Sequence, residues 1–500
     1  MSAGHLPRAP LGGSAEEPGT VGGPLFLPFP LARGGKSLPN RLVLPAMVTR
    51  LSGEDGRVNA DVRARYTRFS KGEVGLVVVE AMAVHSAKSG PLLRISDDAF
   101  VPGLRELATS CHDAGPGLVF PQIIHFLKVS RSGWRQTVDM LSLAEIDRIV
   151  EDYARAAVRA RIAGFDGVEL HMAHAYTLSS FLSRKNARRD AYGGSLENRL
   201  RLPIRVLRAV RAAVGDDFPV GLRFVGDEHI RGGYTVVDAC PIAVALARAG
   251  ADLVSLSAGG KFEDARKIEG EPPYPYTGYS GDRCMPGAAY PEGANLALPS
   301  AVRAAIRAAG LATPVVAAGK IATKGFAERV VEEGHGDLVG LARALLADPD
   351  LPKKWRLGEV DRVIRCLYGN VCKALDEAFR RVDCTLWPKG LGQAPESDDR
   401  APPIWSVEGG NVRAEYKDGR VLVRWEKAHD DEGLYGYEVL RGQGDSGLLS
   451  HAASVREKSQ RFEDTSVLPG DVLRYAVRPY DLAGNRGRLS AVVVVHIPPS

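Results

Sequence analysis

SLAEIDRIVEDYARAAVRARIAGFDGVEL, residues 142–170, holds one repeating unit of this chain. Ser142 can cap a helix while Glu145 supplies the reciprocal half of a capping box. Ile146, Ile149, Tyr153, Ala156 and Ala160 then recur at helical spacing until Gly164 stops the pattern. The next segment, Gly167–Leu170, is short and apolar with no polar alternation, as a strand covered on both faces reads. The same kind of run occurs at Leu42–Ala46, Gly75–Ala81, Leu118–Ile124, Val220–Phe224, Leu253–Ser257, Pro314–Ala318 and Leu338–Leu341. Eight strand-then-helix units over roughly 300 residues are the arithmetic of an α/β fold of the (β/α)8 TIM-barrel type. A doubly wound sheet would usually carry a Gly-x-Gly-x-x-Gly turn after its first strand, and none follows any strand here.

After Pro402 the texture changes. Val421–Trp425, Gly436–Arg441, Val472–Pro479 and Ala491–Val495 are strand-like, separated by turn signals such as Lys417-Asp418-Gly419. The spacing predicts a small all-β, immunoglobulin-like sandwich. Trp425, Tyr437, Leu468-Pro469-Gly470, Tyr475 and Asp481-Leu482-Ala483-Gly484-Asn485 resemble the core aromatics and late-strand signature of a fibronectin type III domain. The expected organisation is a disordered leader (1–24), a barrel (25–360), a Cys-containing extension and linker (361–400) and the sandwich (401–500).

The 500 residues include 65 Lys and Arg against 60 Asp and Glu, a net charge of +5 that no stretch concentrates. That argues against a nucleic-acid groove or an anionic membrane surface. No apolar run approaches the roughly 20 residues of a membrane span. Six cysteines in a chain this long make no disulfide scaffold, and the Gly- and Pro-rich start lacks a secretory pattern. A reduced, cytoplasmic protein is expected.

The densest chemistry follows the fourth strand, in Glu169-Leu170-His171-Met172-Ala173-His174-Ala175-Tyr176. On the catalytic face of a barrel, two imidazoles can hold an oxyanion or carbonyl oxygen while a nearby phenol donates a proton. The same His-x-x-His could serve as zinc ligands, though no third ligand of matching spacing stands out, or as a structural pair. Downstream, the polar run Asn186–Arg199 with its Gly193-Gly194 turn reads as a loop fixed by internal hydrogen bonds. Ala318-Gly319-Lys320 and Leu341-Ala342-Arg343 end the last two strands, the usual phosphate site of this fold. Arg223 ends the fifth strand and would face the barrel mouth.

His171 to Tyr176, the run Asn-x-Arg-x-Asp-x-Tyr-Gly-Gly-Ser-x-Glu-Asn-Arg from Asn186 to Arg199, and the opening Asn40–Met47 resemble the old yellow enzyme family, also called NADH:flavin oxidoreductases. The resemblance covers about Leu25 to Gly390 and implies an FMN-dependent oxidoreductase driven by NADH or NADPH. By that resemblance Ala46, Met47, Ala81, Gln122 and Arg223 line the isoalloxazine, and Gly319, Lys320, Ala342 and Arg343 cradle the phosphate. His171 and His174 bind the substrate's carbonyl oxygen, and Tyr176 is the proton donor. The implied reaction is ene-reduction: hydride passes from flavin N5 to the β-carbon of an activated alkene, and Tyr176 protonates the α-carbon. Val48 sits where many relatives have Thr or Cys, and Leu127-Lys128 replaces a Gly-Arg pair.

Cys366, Cys372 and Cys384, in a segment leading to Leu386–Gly390, resemble the [4Fe–4S]-binding region of larger family members. Gly369 takes the second position of the expected set, leaving three thiolates where a cluster normally wants four, so a vestigial Cys-lined loop is favoured over a cluster. The alternative activity is oxidation or demethylation of an amine or cyclic substrate. The segment Gly259–Pro299, with Tyr274, Tyr276, Tyr279 and Tyr290, is expected to shape that choice, or equally to pack as a loop. A secreted barrel hydrolase needs a second carboxylate to accompany Glu169, and none stands out. A non-catalytic binding protein is the remaining reading. Expected partners are a small-molecule activated alkene, a nicotinamide nucleotide and a protein contacting the C-terminal domain.

Overall fold

Each of the eight apolar runs forms a strand. These are β1 (Leu42–Leu44), β2 (Leu76–Ala83), β3 (Leu118–Ile124), β4 (Val168–Met172), β5 (Val220–Val225), β6 (Leu253–Ser257), β7 (Val315–Ala318) and β8 (Leu338–Gly340). They pair in parallel in chain order, and β8 returns to β1 to close the barrel. Nearly every strand residue is buried, which is why the runs carry no polar alternation. The computed structural model describes residues 22–87, 90–128, 135–259, 281–388, 390–444 and 448–499. Most of the expected leader, and Tyr274, Tyr276 and Tyr279, lie outside the described residues.

The helix that opened the sequence argument spans Leu143–Ile162, and its capping box is formed. Ser142 Oγ accepts the Glu145 N–H at 3.2 Å, and Glu145 Oε2 accepts the Ser142 N–H at 2.8 Å. Its buried face is Ile146, Ile149, Tyr153, Ala156, Ala157 and Ala160, the periodicity read from the sequence.

A short hairpin, Phe29–Pro30 against Ser37–Leu38, closes the N-terminal end of the barrel. Leu31 and Leu38 pack there against Leu76, Val78, Phe120, Leu253, Val316 and Leu338. One device recurs three times at this end, in Phe165-Asp166-Gly167-Val168, Ala251-Asp252-Leu253-Val254 and Gly336-Asp337-Leu338-Val339. In each, the aspartate before an even-numbered strand accepts the first or second N–H of the preceding strand: Val119 to Asp166 at 2.8 Å, Val220 to Asp252 at 2.8 Å, Val315 to Asp337 at 3.0 Å. Each carboxylate also meets basic side chains: Lys36 and His112, Arg33 and Arg211, Arg303 and Arg307. Strand ends that would otherwise expose buried donors are thereby satisfied.

The C-terminal region forms a three-stranded sheet (Arg413–Lys417, Arg420–Arg424, Arg461–Asp464). Facing it is a four-stranded sheet ordered Ser450–Arg456, Leu434–Gln443, Val472–Asp481, Val493–His496. Trp425, Tyr437 and Tyr475 are buried between them with Val421, Val423, Val439 and Val477. Ser450–Arg456 and Arg413–Lys417 escaped the sequence reading because they are half-exposed or exposed and lack a clean alternation. The sandwich docks on the segment after the barrel. Tyr435 and Tyr480 pack with Ala347, Ile364 and Leu386, and Arg486 Nη2 donates to Val363 O at 3.0 Å. Gly484 belongs to this junction. With φ of +86° and an added Cβ 1.9 Å from Arg362 O, no side chain fits there. No helix among the described residues is long and apolar enough to cross a membrane.

Candidate active site

A cavity of about 1060 Å³ opens at the C-terminal ends of the barrel strands. Ala46 and Met47 reach it from the segment after β1, Ala81 from β2 and Gln122 from β3. A register shift between Val79 and Met82 in the β2–β3 pairing falls at Ala81. Val48 also lines the wall, in an apolar group with Ala81, Ala83, Leu92 and Ile124, and brings no side-chain hydrogen bond.

His171 leaves β4 beside Arg223 of β5, its register partner. His174 and Ala175 have φ of 58° and 57°, a left-handed turn that brings the chain back on itself. The turn sets the His174 ring 5.1 Å from that of His171, and the Tyr176 ring 5.0 Å from it. Non-glycine residues in this conformation carry strain, which persists where the surroundings enforce it. Burial first, with the positive charge of Arg223 adding to it, pushes His174 down to about 3 and His171 well below its usual range. Both imidazoles are therefore neutral near pH 7. His171 Nδ1 accepts the Ala173 N–H at 3.1 Å, which leaves the ring proton on Nε2 as a donor.

Arg223 is only 8% exposed, and its Nε and Nη1 have no hydrogen-bond partner among the described residues. A buried guanidinium with unanswered donors costs stability unless something accepts from them. Glu169 does not accept from Arg223 Nε or Nη1; its Oε1 accepts Gln122 Nε2 at 2.7 Å. Burial raises the Glu169 carboxyl, with Arg223 opposing the rise.

Gly319 and Lys320 follow β7, and Ala342 and Arg343 follow β8; all four line the same cavity. Gly319 has φ of +127°, and an added Cβ would lie 2.9 Å from Asn295 Cβ, so the position requires glycine. Lys320 is not left open. Its ammonium donates to the carbonyls of Gly287 (3.2 Å), Ala288 (2.7 Å) and Tyr290. Arg343 Nη1 donates to Pro286 O at 2.8 Å and Asn370 Oδ1 at 2.5 Å, and its guanidinium stacks 4.7 Å from the Tyr368 ring centroid. The two cations thus anchor segment 286–290 at the cavity's edge. The loop Asn186–Arg199, read from sequence as fixed by internal hydrogen bonds, is held both from within and by neighbouring segments. Asn186 Nδ2 donates to Phe181 O and Tyr192 O, and Arg188 donates to Val138 O and Leu141 O.

Of the three clustered cysteines only Cys372 reaches the cavity wall. Cys366 and Cys384 lie against the junction with the sandwich, and burial raises all three thiols, Cys384 to about 12. Three thiols and a glycine do not supply four cluster ligands. Asp399, Asp430 and Asp481 bring carboxylate oxygens within 4.8 Å of one another at the domain junction, where Asn485 already donates to both oxygens of Asp481.

Two site residues were not found from sequence. Ser257 Oγ lies 2.7 Å and Cys284 Sγ 3.2 Å from His174 Nε2. Ser257 ends a barrel strand and was findable on that ground; Cys284 lies 27 residues further along the chain and carries no local signal.

Comparison with known proteins places these features. The sequence profile of the NADH:flavin oxidoreductase / NADH oxidase family matches residues 24–269. An NADPH dehydrogenase of Geobacillus sp. (strain WCH70) is 32% identical over 346 residues, covering 66% of this chain and 92% of that protein. An NADH oxidase of Thermoanaerobacter brockii is 31% identical, covering 74% of this chain and 57% of that protein. The solved structure of histamine dehydrogenase from Rhizobium sp. 4-9 is 26% identical with a TM-score of 0.61, covering 72% of this chain and 52% of that one. The chain thus spans little more than half the length of the latter two.

Proposed function

The chain belongs to the NADH:flavin oxidoreductase / NADH oxidase family, and from that premise we propose that it binds FMN in the barrel mouth. There, with NADH or NADPH as donor, it reduces the activated C=C bond of an α,β-unsaturated carbonyl compound. The residues fit the cofactor. Arg223 offers buried, unanswered donors to an electron-accepting edge. Gly319 and Arg343 follow the last two strands at the cavity's edge, where a backbone N–H and a positive charge suit a phosphate. Because Lys320 Nζ is taken up by three carbonyls, its part in a phosphate site falls to its backbone. Bound there, FMN supplies a two-electron carrier between nicotinamide and alkene.

The chain's own residues supply the rest. His171, with its proton on Nε2, and His174 are neutral donors aimed at a carbonyl oxygen. As that oxygen gains negative charge the same bonds strengthen, which lowers the barrier. Tyr176, against the His171 ring, holds the proton that completes reduction at the α-carbon. The observation that carries this reading is the His171–His174–Tyr176 cluster beside Arg223, whose Nε and Nη1 have no hydrogen-bond partner among the described residues. A positive, neutral-imidazole site favours an oxygen becoming anionic. It disfavours a cationic amine, which is the discriminating argument against the dehydrogenase or demethylase reading despite the likeness to histamine dehydrogenase.

The test is anaerobic titration of the FMN-loaded protein with NADH or NADPH, followed by 2-cyclohexenone. Flavin absorbance should bleach and then return. Tyr176→Phe should slow the return by roughly a hundredfold or more while leaving the bleaching step intact. Bleaching of the oxidised flavin by a secondary or tertiary amine, with no response of the reduced flavin to the enone, would establish the alternative.

A further inference from the structure

His174 differs from His171 in how its ring is held. Its Nε2 faces Ser257 Oγ at 2.7 Å and Cys284 Sγ at 3.2 Å, and these two lie 3.8 Å apart. A neutral imidazole has one N–H and one lone pair, so the neighbours of one nitrogen decide what the other presents. A hydroxyl and a thiol can each donate to Nε2. With the lone pair on Nε2, the Ser257 hydroxyl donates to it directly over a short distance. With a proton on Nε2, the Ser257 hydroxyl hydrogen would be left facing the Cys284 sulfur, a weak acceptor, across 3.8 Å.

The two neighbours are themselves held. Ser257 ends β6, is 7% exposed, and its carbonyl accepts the Gly226 N–H at 2.8 Å. Cys284 ends the helical turn Gly281–Cys284, between carbonyls that are fixed on either side. Arg283 O accepts Asn295 Nδ2 at 2.7 Å, and Met285 O accepts Asn370 Nδ2 at 2.7 Å. The next carbonyls, Pro286 to Ala288 and Tyr290, hold Arg343 and Lys320. The segment that closes the phosphate end of the cavity therefore also sets the thiol against His174.

We propose that Ser257 and Cys284 are positioning residues that hold His174 with its proton on Nδ1, so that His174 meets a ligand oxygen through Nδ1–H while His171 uses Nε2–H. The tautomer rests on the geometry alone; its consequence for carbonyl substrates rests on the ene-reductase reading above. Ser257 and Cys284 act through the ring, as outer partners orient a metal-bound histidine.

The experiment uses the FMN-loaded full chain with 15N in its imidazoles. Long-range 1H–15N correlation assigns the protonated nitrogen, and His174 is identified by its loss in His174→Gln. The wild type should show the His174 proton on Nδ1. Ser257→Ala combined with Cys284→Ala should shift it wholly or partly to Nε2, while Ser257→Thr alone keeps the wild-type form. In parallel, kcat/KM for 2-cyclohexenone should fall roughly tenfold in Ser257→Ala, about the worth of one hydrogen bond, and recover in Ser257→Thr. A wild-type proton on Nε2, or a tautomer unchanged in the double variant, overturns the proposal. A tautomer that shifts while enone turnover keeps its wild-type rate supports the positioning role and counts against the carbonyl reading of the site.

Discussion

The two ends of the barrel handle buried charge in opposite ways. At the N-terminal end Asp166, Asp252 and Asp337 each accept a strand N–H and meet basic side chains, below a plug of leucines and valines. At the C-terminal end Arg223 keeps two buried donors without a partner among the described residues, and His174, Ala175 and Lys320 sit at positive φ. The same eight strands build both ends, so the contrast lies in the residues at the strand ends and in the connecting segments. One end is arranged for stability, and the other holds polar groups in readiness at a cost in stability.

That contrast is breakable by substitution. The largest effect is expected at the satisfied end, where Asp252→Ala leaves Arg211 without its buried carboxylate and Val220 N–H without an acceptor. Removing one member of such a pair costs about 3–5 kcal/mol. Calorimetry should show the lower Tm, and flavin affinity at a temperature where the variant is folded should match wild type. A folded Asp252→Ala that no longer holds flavin would dissolve the distinction between the ends.

Next is Glu80, fully buried on β2 and accepting the Thr49 N–H and hydroxyl, its carboxyl pushed up to about 7 by burial. The folded chain keeps this proton to about pH 7, while the unfolded chain releases it near the ordinary value of 4.5. Between those values the folded state binds more protons, so the group's contribution is complete below pH 4.5 and lost as pH rises to about 7. The loss totals roughly 3 kcal/mol. Glu80→Gln should flatten that part of the stability profile, and parallel curves for the two proteins would refute it.

Arg223→Met should act with opposite signs on the two properties. Flavin binding should weaken roughly tenfold to a hundredfold, the range of a charged hydrogen bond. The flavin-free protein should melt no lower than wild type, because buried donors without a hydrogen-bond partner have gone. A lower Tm for flavin-free Arg223→Met would mean that the guanidinium is structurally satisfied after all. The smallest effect sharpens the comparison at the C-terminal end itself. Ser142→Ala removes one half of the capping box before Leu143–Ile162 and should cost about 1 kcal/mol, with flavin affinity and enone turnover unchanged.

Much of this molecule was legible from periodicity. A strand buried on both faces must be apolar throughout, and a helix against a barrel must be apolar on one stripe, so the chain itself records both patterns. Ser142 and Glu145 show the same logic at a single helix start. The exposed strands of the sandwich were not legible, because Arg413–Lys417 buries almost nothing and its residues carry no trace of the sheet they join. Within the site, His171, His174 and Tyr176 could be picked out because they fall within six residues of one strand end. Ser257 and Cys284 could not be tied to them, since 83 and 110 residues separate each from His174.

The sequence by itself determined the barrel, the sandwich and the family, because those depend on which residue types recur at which local spacing. Only the tertiary structure decided how the chemistry is held. That Lys320 is taken up by three carbonyls, that Arg223 has donors to spare and that His174 lies between a hydroxyl and a thiol all follow from contacts between distant segments. Such contacts depend on the closure of the eight strands, and no local pattern encodes their partners.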